Sequence, residues 1–167
     1  MSLSNDGAVL VLGKRESGKS TTLAWLATEV GALVISDDLV VLDHGQVLPG
    51  PRCIDLRGGA NGLDGQALEA EWVRSTSHLR LTLPAVANAY PVAGTALLRW
   101  GDRFQVSSVP LDSRIELLSE RRSCRALPAD ARALLDLAAL PMIIVTRPKD
   151  SRFIPATANA VMNHRWY

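Results

Sequence analysis

The chain opens its readable pattern with a run free of polar residues. Residues 8–12, AVLVL, are continuous, apolar and rich in β-branched side chains, which predicts a buried strand. The period then changes. From residue 19 to residue 30, Leu23, Leu26, Ala27 and Val30 recur on one helical face, and Gly31 is placed to stop the helix. Residues 32–42, ALVISDDLVVL, predict a second extended segment interrupted by Asp37 and Asp38. DHGQV marks a turn, PGP at 49–51 a connector, and CIDLR at 53–57 a short strand ending at Gly58 and Gly59.

Beyond residue 60 the pattern weakens. Leu63 to Val73 fits a helix, and Leu79 to Leu83 alternates weakly. Residues 93–100 and 103–109 predict a β-hairpin turning at Gly101 and Asp102. Ser113, Arg114, Ile115 and Glu116 have capping-box spacing and are placed to open a helix running to about Arg122. Pro128 stands at a first-helical position before a helix reaching about Leu140, and MIIV at 142–145 predicts a late strand. No internal repeat or inter-domain linker is visible. The expected architecture is α/β: a strand–loop–helix core with a mixed β-sheet flanked by helices, in a single domain over residues 1–167.

Composition narrows the partners more than the fold. The apolar fraction of 47% and charged fraction of 21% are ordinary for a globular chain. A net charge of +1 gives no bulk attraction to nucleic acid or an anionic membrane, and 5% aromatics argue against a base-stacking platform. The apolar runs are short or broken by Pro141, so no membrane span is expected. Cys53 and Cys124 lack metal-type spacing and fit packing roles in a reducing setting. No secretory signal is read ahead of the first strand, so the expected location is the cytoplasm. Trp25, Trp72, Trp100 and Trp166 are expected in a core or an interface, and His44, His78 and His164 receive no catalytic role.

The candidate chemistry lies between the first strand and the first helix. Gly13, Lys14, Arg15, Glu16, Ser17, Gly18, Lys19 and Ser20 match G-x-x-x-x-G-K-[ST]. Backbone N–H groups must turn inward around a phosphate, and glycines permit that turn. A helix starting near Lys19 aims its free N–H groups and dipole at the same anion. The predicted nucleotide-binding set runs from Gly13 through Thr21, with Lys19 on the β and γ phosphates and the Ser20 hydroxyl on Mg²⁺. Glu16 is unexpected beside a polyphosphate, and its carboxylate is predicted to point outward.

Two acidic features complete the constellation. Asp37 and Asp38 end an apolar segment, and ligands of α/β sheets sit beyond the carboxyl ends of strands. One aspartate is placed to hold Mg²⁺, the other to accept the proton of an attacking hydroxyl. Asp55 and Arg57 alternate with Ile54 and Leu56 and share one strand face. There Arg57 either stabilises a transferring phosphoryl group or forms an ordinary ion pair.

Three pieces in order then resemble the catalytic domain of HPr kinase/phosphorylase and its smaller relatives, which share a phosphate-loop architecture with phosphoenolpyruvate carboxykinase. They are GKRESGKSTTLAWLA, GALVISDDLVVLD and VLPGPRCIDLRGG, covering about residues 8–60. LRLTLPAVANAYPVAGTALLRW resembles the small relatives less specifically. The resemblance implies that Lys19 and Ser20 bind nucleotide phosphate and Mg²⁺, that Asp37 and Asp55 serve the metal, that Asp38 is the base, and that Arg57 binds the transferring phosphate. Asp55 stands where the family usually has Glu. The family's histidine upstream of the loop has no counterpart before His44, which argues against the reverse, phosphorolytic reaction. Arg147, Lys149 and Arg152 are placed to do work similar to the family's C-terminal basic loop. The family's habit of oligomer formation implies self-association.

The resulting expectation is an ATP- and Mg²⁺-dependent kinase acting on a hydroxyl of a protein, a peptide or a small molecule. Two other readings compete with it. In a regulatory GTPase, Asp55-Leu56-Arg57-Gly58 would sense a γ-phosphate and IIVTRPKD at 143–150 would read guanine, although the expected Asn-Lys pair is missing. In a non-catalytic module, the same loop would hold nucleotide without turnover.

Overall fold

The apolar run at residues 8–12 forms an interior strand of a mixed sheet, β2 (Gly7–Gly13). The computed structural model describes residues 2–4, 7–57, 68–74, 77–122 and 130–166. Strand β1 (Ser2–Ser4), in residues to which the sequence gave no element, pairs antiparallel with β2. Helix α1 (Lys19–Glu29) follows the loop, and the hairpin β3 (Val41–Asp43) and β4 (Gln46–Leu48) turns at His44 and Gly45, where DHGQV predicts it. Next come β5 (Cys53–Arg57), β6 (Ala70–Val73), β7 (His78–Thr82), β8 (Tyr90–Trp100) and β9 (Gln105–Ser108). Helices α2 (Leu111–Ser119) and α3 (Ala131–Ala139), strand β10 (Met142–Arg147), a short 3-10 turn (Ser151–Phe153) and helix α4 (Ile154–Met162) complete the order.

The main sheet runs β1-β2-β8-β10-β9, and the β3–β4 hairpin joins through β4 at the start of β8. Strands β2, β8 and β10 are mutually parallel, whereas β1 and β9 are antiparallel edges. The parallel strands are apolar on both faces because helices cover both. Val9, Ile143 and Val145 pack with Val161 of α4 on one face. Leu12 and Met142 pack with Leu118 of α2 and Ala138 of α3 on the other. Gly94 of β8 permits a close approach: a Cβ there would run into the ring of buried Trp166.

A second sheet, β5-β7-β6, is antiparallel throughout. It packs Ile54, Leu56 and Leu81 against Leu23 and Leu26 of α1. Ala158 of α4 joins the same cluster, so α1 is clamped between the small sheet and α4.

Several expectations are corrected. The predicted hairpin of 93–100 with 103–109 does not form, because β10 inserts between β8 and β9. Its apolar side chains need cover on both faces, whereas every residue of β9 is exposed and suits an edge. Residues 32–36 leave α1's end as an extended segment whose strand pairing is limited to a single bridge at Val34. The carbonyls of Val34 and Ile35 instead accept from the Arg52 guanidinium at 2.8 Å each, and Gly50 N–H donates to Ile35 O.

Of the helix predicted over 63–73, residues 63–67 lie outside the described residues, and residues 70–73 are strand β6. The capping box at Ser113 is not used. Helix α2 starts two residues earlier, after Pro110, and the Ser113 hydroxyl meets Asp112. Pro128 and Cys124 lie outside the described residues, and α3 is capped by Asp130, which accepts from Arg132 N–H and Ala133 N–H. Val30 falls beyond α1 and is exposed. Trp166 is buried, as in a core, whereas Trp72 and Trp100 are exposed at 54% and 38%, which leaves for them only the interface half of the expectation.

Helix α4 went unassigned in the sequence although its signal is present. Ile154, Thr157, Ala158 and Val161 are its buried residues, at helical spacing, and Pro155 sits in its first turn. Among the described residues, no helix is long and apolar enough to cross a membrane.

Candidate functional site

Three parallel strands deliver their carboxyl ends to one edge of the main sheet: β2 at Gly13, β8 at Trp100 and β10 at Arg147. In open α/β sheets this edge is where ligands bind. The loop from Gly13 to Gly18 leaves β2 there and enters α1 at Lys19. Glu16 and Gly18 take left-handed backbone conformations, with φ of 62° and 82°. Gly18 is the helix N-cap and supplies no capping side chain, so the first-turn N–H groups receive no cap from it. A Cβ at Gly18 would meet the tip of the Arg147 side chain, and the positive φ is a conformation that glycine takes without strain.

The Lys19 ammonium folds back over the loop, donating to Gly13 O at 3.2 Å and Lys14 O at 3.0 Å. Burial lowers its pKa, while Asp37 and then Asp38 hold the charge on it. Ser20, one residue on, donates its hydroxyl to Asp37 Oδ1 at 3.2 Å. Thr22 anchors the helix start by donating to Gly18 O at 2.9 Å. Ser17 is buried, and its hydroxyl has no hydrogen-bond partner among the described residues.

The aspartate pair is set by a tight turn. Leu39 N–H donates to Asp37 O at 2.7 Å across Asp38, whose φ is 61°. Ser36 braces this turn by donating to Leu39 O at 2.6 Å. Asp37 is buried and Asp38 exposed, so adjacent carboxylates occupy different environments. Burial raises the Asp37 pKa, opposed by its bond from Ser20.

That shift fixes a sign. A carboxyl whose folded pKa exceeds its unfolded value loses stability as pH rises from 3.8 through the raised value. Asp37→Asn is therefore expected to raise the thermal midpoint at pH 7 and to flatten its decline above pH 4. Thermal melts across pH check this. A midpoint that drops at pH 7 would show that Asp37 serves the fold.

The second pair also reaches this edge. Arg57 and Asp55 share one cavity of about 610 Å³ with Ser20, Arg147 and Trp100. Six basic and four acidic side chains line it, an excess of positive charge that favours an anion. Arg57 Nη1 meets Glu16 Oε1 at 2.9 Å, so Glu16 is exposed but turned to Arg57 and not simply outward. The family resemblance implies a metal role for Asp55. In the structure both its oxygens are held by Arg80, at 2.7 and 2.9 Å, with Arg74 at 3.3 Å, and this pairing lowers its pKa. That leaves Asp37 as the carboxylate joined to Ser20.

A larger, more apolar cavity of about 880 Å³ lies on the other side of the loop, between Leu12, Leu42 and Leu134. Arg15, Lys19 and Asp38 line both cavities. Lys14 is exposed, and Thr21 faces the smaller cavity.

Sequence reasoning missed Trp100 as a site residue. Its indole N–H donates to Glu16 O at 3.1 Å, and the Arg147 guanidinium lies 4.5 Å from its ring centroid. Only the pairing of β8 with β10, which sets Trp100 opposite Arg147, brings them together. For the GTPase reading, Gly58 lies outside the described residues. Asp150, its guanine reader, is engaged by Arg152, which donates backbone N–H and guanidinium to it.

No protein-family model, curated protein or solved structure matches the chain. Among the described residues, no three His, Cys, Asp or Glu side chains converge as a metal cluster. The donors that Mg²⁺ favours are present in smaller number, as the Ser20 hydroxyl and the Asp37 carboxylate, and Mg²⁺ ordinarily completes such a set with phosphate oxygens and water.

Proposed function

We propose that the chain is a small phosphate-loop kinase, similar to the catalytic domain of HPr kinase/phosphorylase, that transfers the γ-phosphoryl group of ATP to a hydroxyl. One observation carries the reading: the hydrogen bond from Ser20 to Asp37, which ties the first turn of α1 to the acidic pair with Lys19 beside it. A bare strand–helix turn needs neither a buried carboxylate nor a desolvated ammonium.

In this reading the loop N–H groups and Lys19 bind the phosphate chain. Ser20 and Asp37 hold Mg²⁺, which neutralises phosphate charge and fixes the nucleotide's orientation. Asp38 accepts the proton as the acceptor's hydroxyl oxygen bonds to the γ-phosphorus. The bond from that phosphorus to the bridging oxygen breaks, and ADP leaves with the electron pair. Arg57 exchanges its Glu16 partner for the transferring group. The two cavities meeting at Lys19 and Asp38 suit a reaction of two substrates, nucleotide on one side and acceptor on the other.

The direct test incubates the protein with γ-labelled ATP, MgCl₂ and native cell extract, and identifies the labelled species. A phosphorylated hydroxyl is expected, and its absence from every fraction, with no calorimetric signal for ATP and Mg²⁺, would overturn the reading. Arg57→Ala is expected to slow transfer by about 10²-fold. Its thermal midpoint should hold, because the pair with Glu16 is exposed on both sides and such pairs contribute little stability. An unchanged rate would reduce Arg57 to a surface ion pair.

A further inference from the structure

The guanidinium of Arg147 is the least explained charge in the molecule. Its residue is only 2% exposed, yet the side chain has no carboxylate and no hydrogen-bond acceptor among the described residues, and its Nε is buried without a partner. Burial lowers its pKa, and no carboxylate offsets the loss of water. A buried charge without a carboxylate partner costs stability, which raises the question of what it serves.

Its surroundings say what. One face of the guanidinium lies over the Trp100 ring, which is itself tied to the loop through Glu16 O. The head lies against Gly18, the N-cap of the eleven-residue helix α1, and lines the polar cavity with Ser20 and Thr21. A planar donor fork and the first-turn N–H groups of α1 therefore border the same space.

We propose that Arg147 is a preset anion-binding group of this cavity and that its ligand is the phosphate chain held by residues 13–20. The inference extends the kinase reading, since it takes the loop to be a phosphate site, but it does not depend on transfer. The free protein holds the guanidinium desolvated and stacked, so little side-chain freedom remains to be lost when the anion arrives. Arg57 differs in being exposed and already paired. Arg147 is thus the fixed cation of the site and Arg57 the exchangeable one.

The test uses inorganic tripolyphosphate without Mg²⁺ or acceptor, titrated calorimetrically into the whole chain. Arg147→Met keeps the apolar volume and a sulfur for Trp100 while removing the charge. Its affinity is expected to fall about 10- to 10²-fold, the range for charged hydrogen bonds, while the thermal midpoint of the free protein stays equal or rises. Arg147→Lys, which keeps charge but not the planar fork, should fall in between. Equal affinity of the Met variant and the unaltered chain would overturn the inference, and so would an unaltered chain that binds no tripolyphosphate. Arg147-dependent binding without any transfer to a hydroxyl would uphold this inference and remove the kinase reading. Transfer that survives with Arg147-independent binding would do the reverse.

Discussion

If the proposed kinase reading holds, Lys19→Ala is expected to abolish phosphoryl transfer and to weaken binding of ATP with Mg²⁺ by about 10²-fold or more. In the free protein its ammonium donates hydrogen bonds to the carbonyls of Gly13 and Lys14, with Asp37 and Asp38 acting on it through charge. Neutral acceptors are a weak substitute for a triphosphate, so the charge is available when the anion enters. It is also half desolvated, which strengthens its attraction to phosphate relative to a surface lysine. Alanine removes that charge without disturbing the fold. The Leu23 and Leu26 face of α1 stays packed, the freed Gly13 carbonyl borders the larger cavity, and Lys14 is exposed. Calorimetry and a γ-label assay on a variant with unchanged circular dichroism check the result. Full activity would mean that the loop cradles no phosphate.

On the same reading, Asp38→Asn is expected to leave nucleotide affinity within about twofold and to lower the transfer rate by about 10²-fold or more, in line with general-base contributions. Asparagine is the suitable probe because Asp38 has a φ of 61°, a conformation that asparagine tolerates and most residues do not. The variant therefore keeps the turn closed by Leu39 N–H and removes only the proton acceptor. Asp37 sits differently: it is buried and engaged by Ser20, whereas Asp38 is exposed and borders both cavities. If affinity and rate fall together in Asp38→Asn, then Asp38 serves the metal and the division between the two aspartates is reversed.

Much of the site could be read before the structure. Gly13 through Thr21 announce themselves by spacing, and the strand and helix on either side appear where the hydrophobic period changes. Asp37 and Asp38 are visible as an acidic break in an apolar run. Asp55 is harder, because sequence shows a carboxylate beside an arginine but not which arginine takes it. Arg80, twenty-five residues away, claims both oxygens through the pairing of β5 with β7. Arg57 turns instead to Glu16 across forty-one residues.

Local pattern by itself determined the β2–loop–α1 unit, the β5 and β10 strands and the acidic pair, because periodicity and glycine placement act over a few residues. Strand order was beyond its reach. The sequence makes β8 and β9 neighbours, yet β10 separates them, since a strand apolar on both faces gains more at the sheet's centre than a polar strand would. That insertion also sets Arg147 against Trp100 and Gly18. A lone arginine in a sequence carries no sign of burial; only the assembled sheet strips it of water and leaves its charge facing the loop.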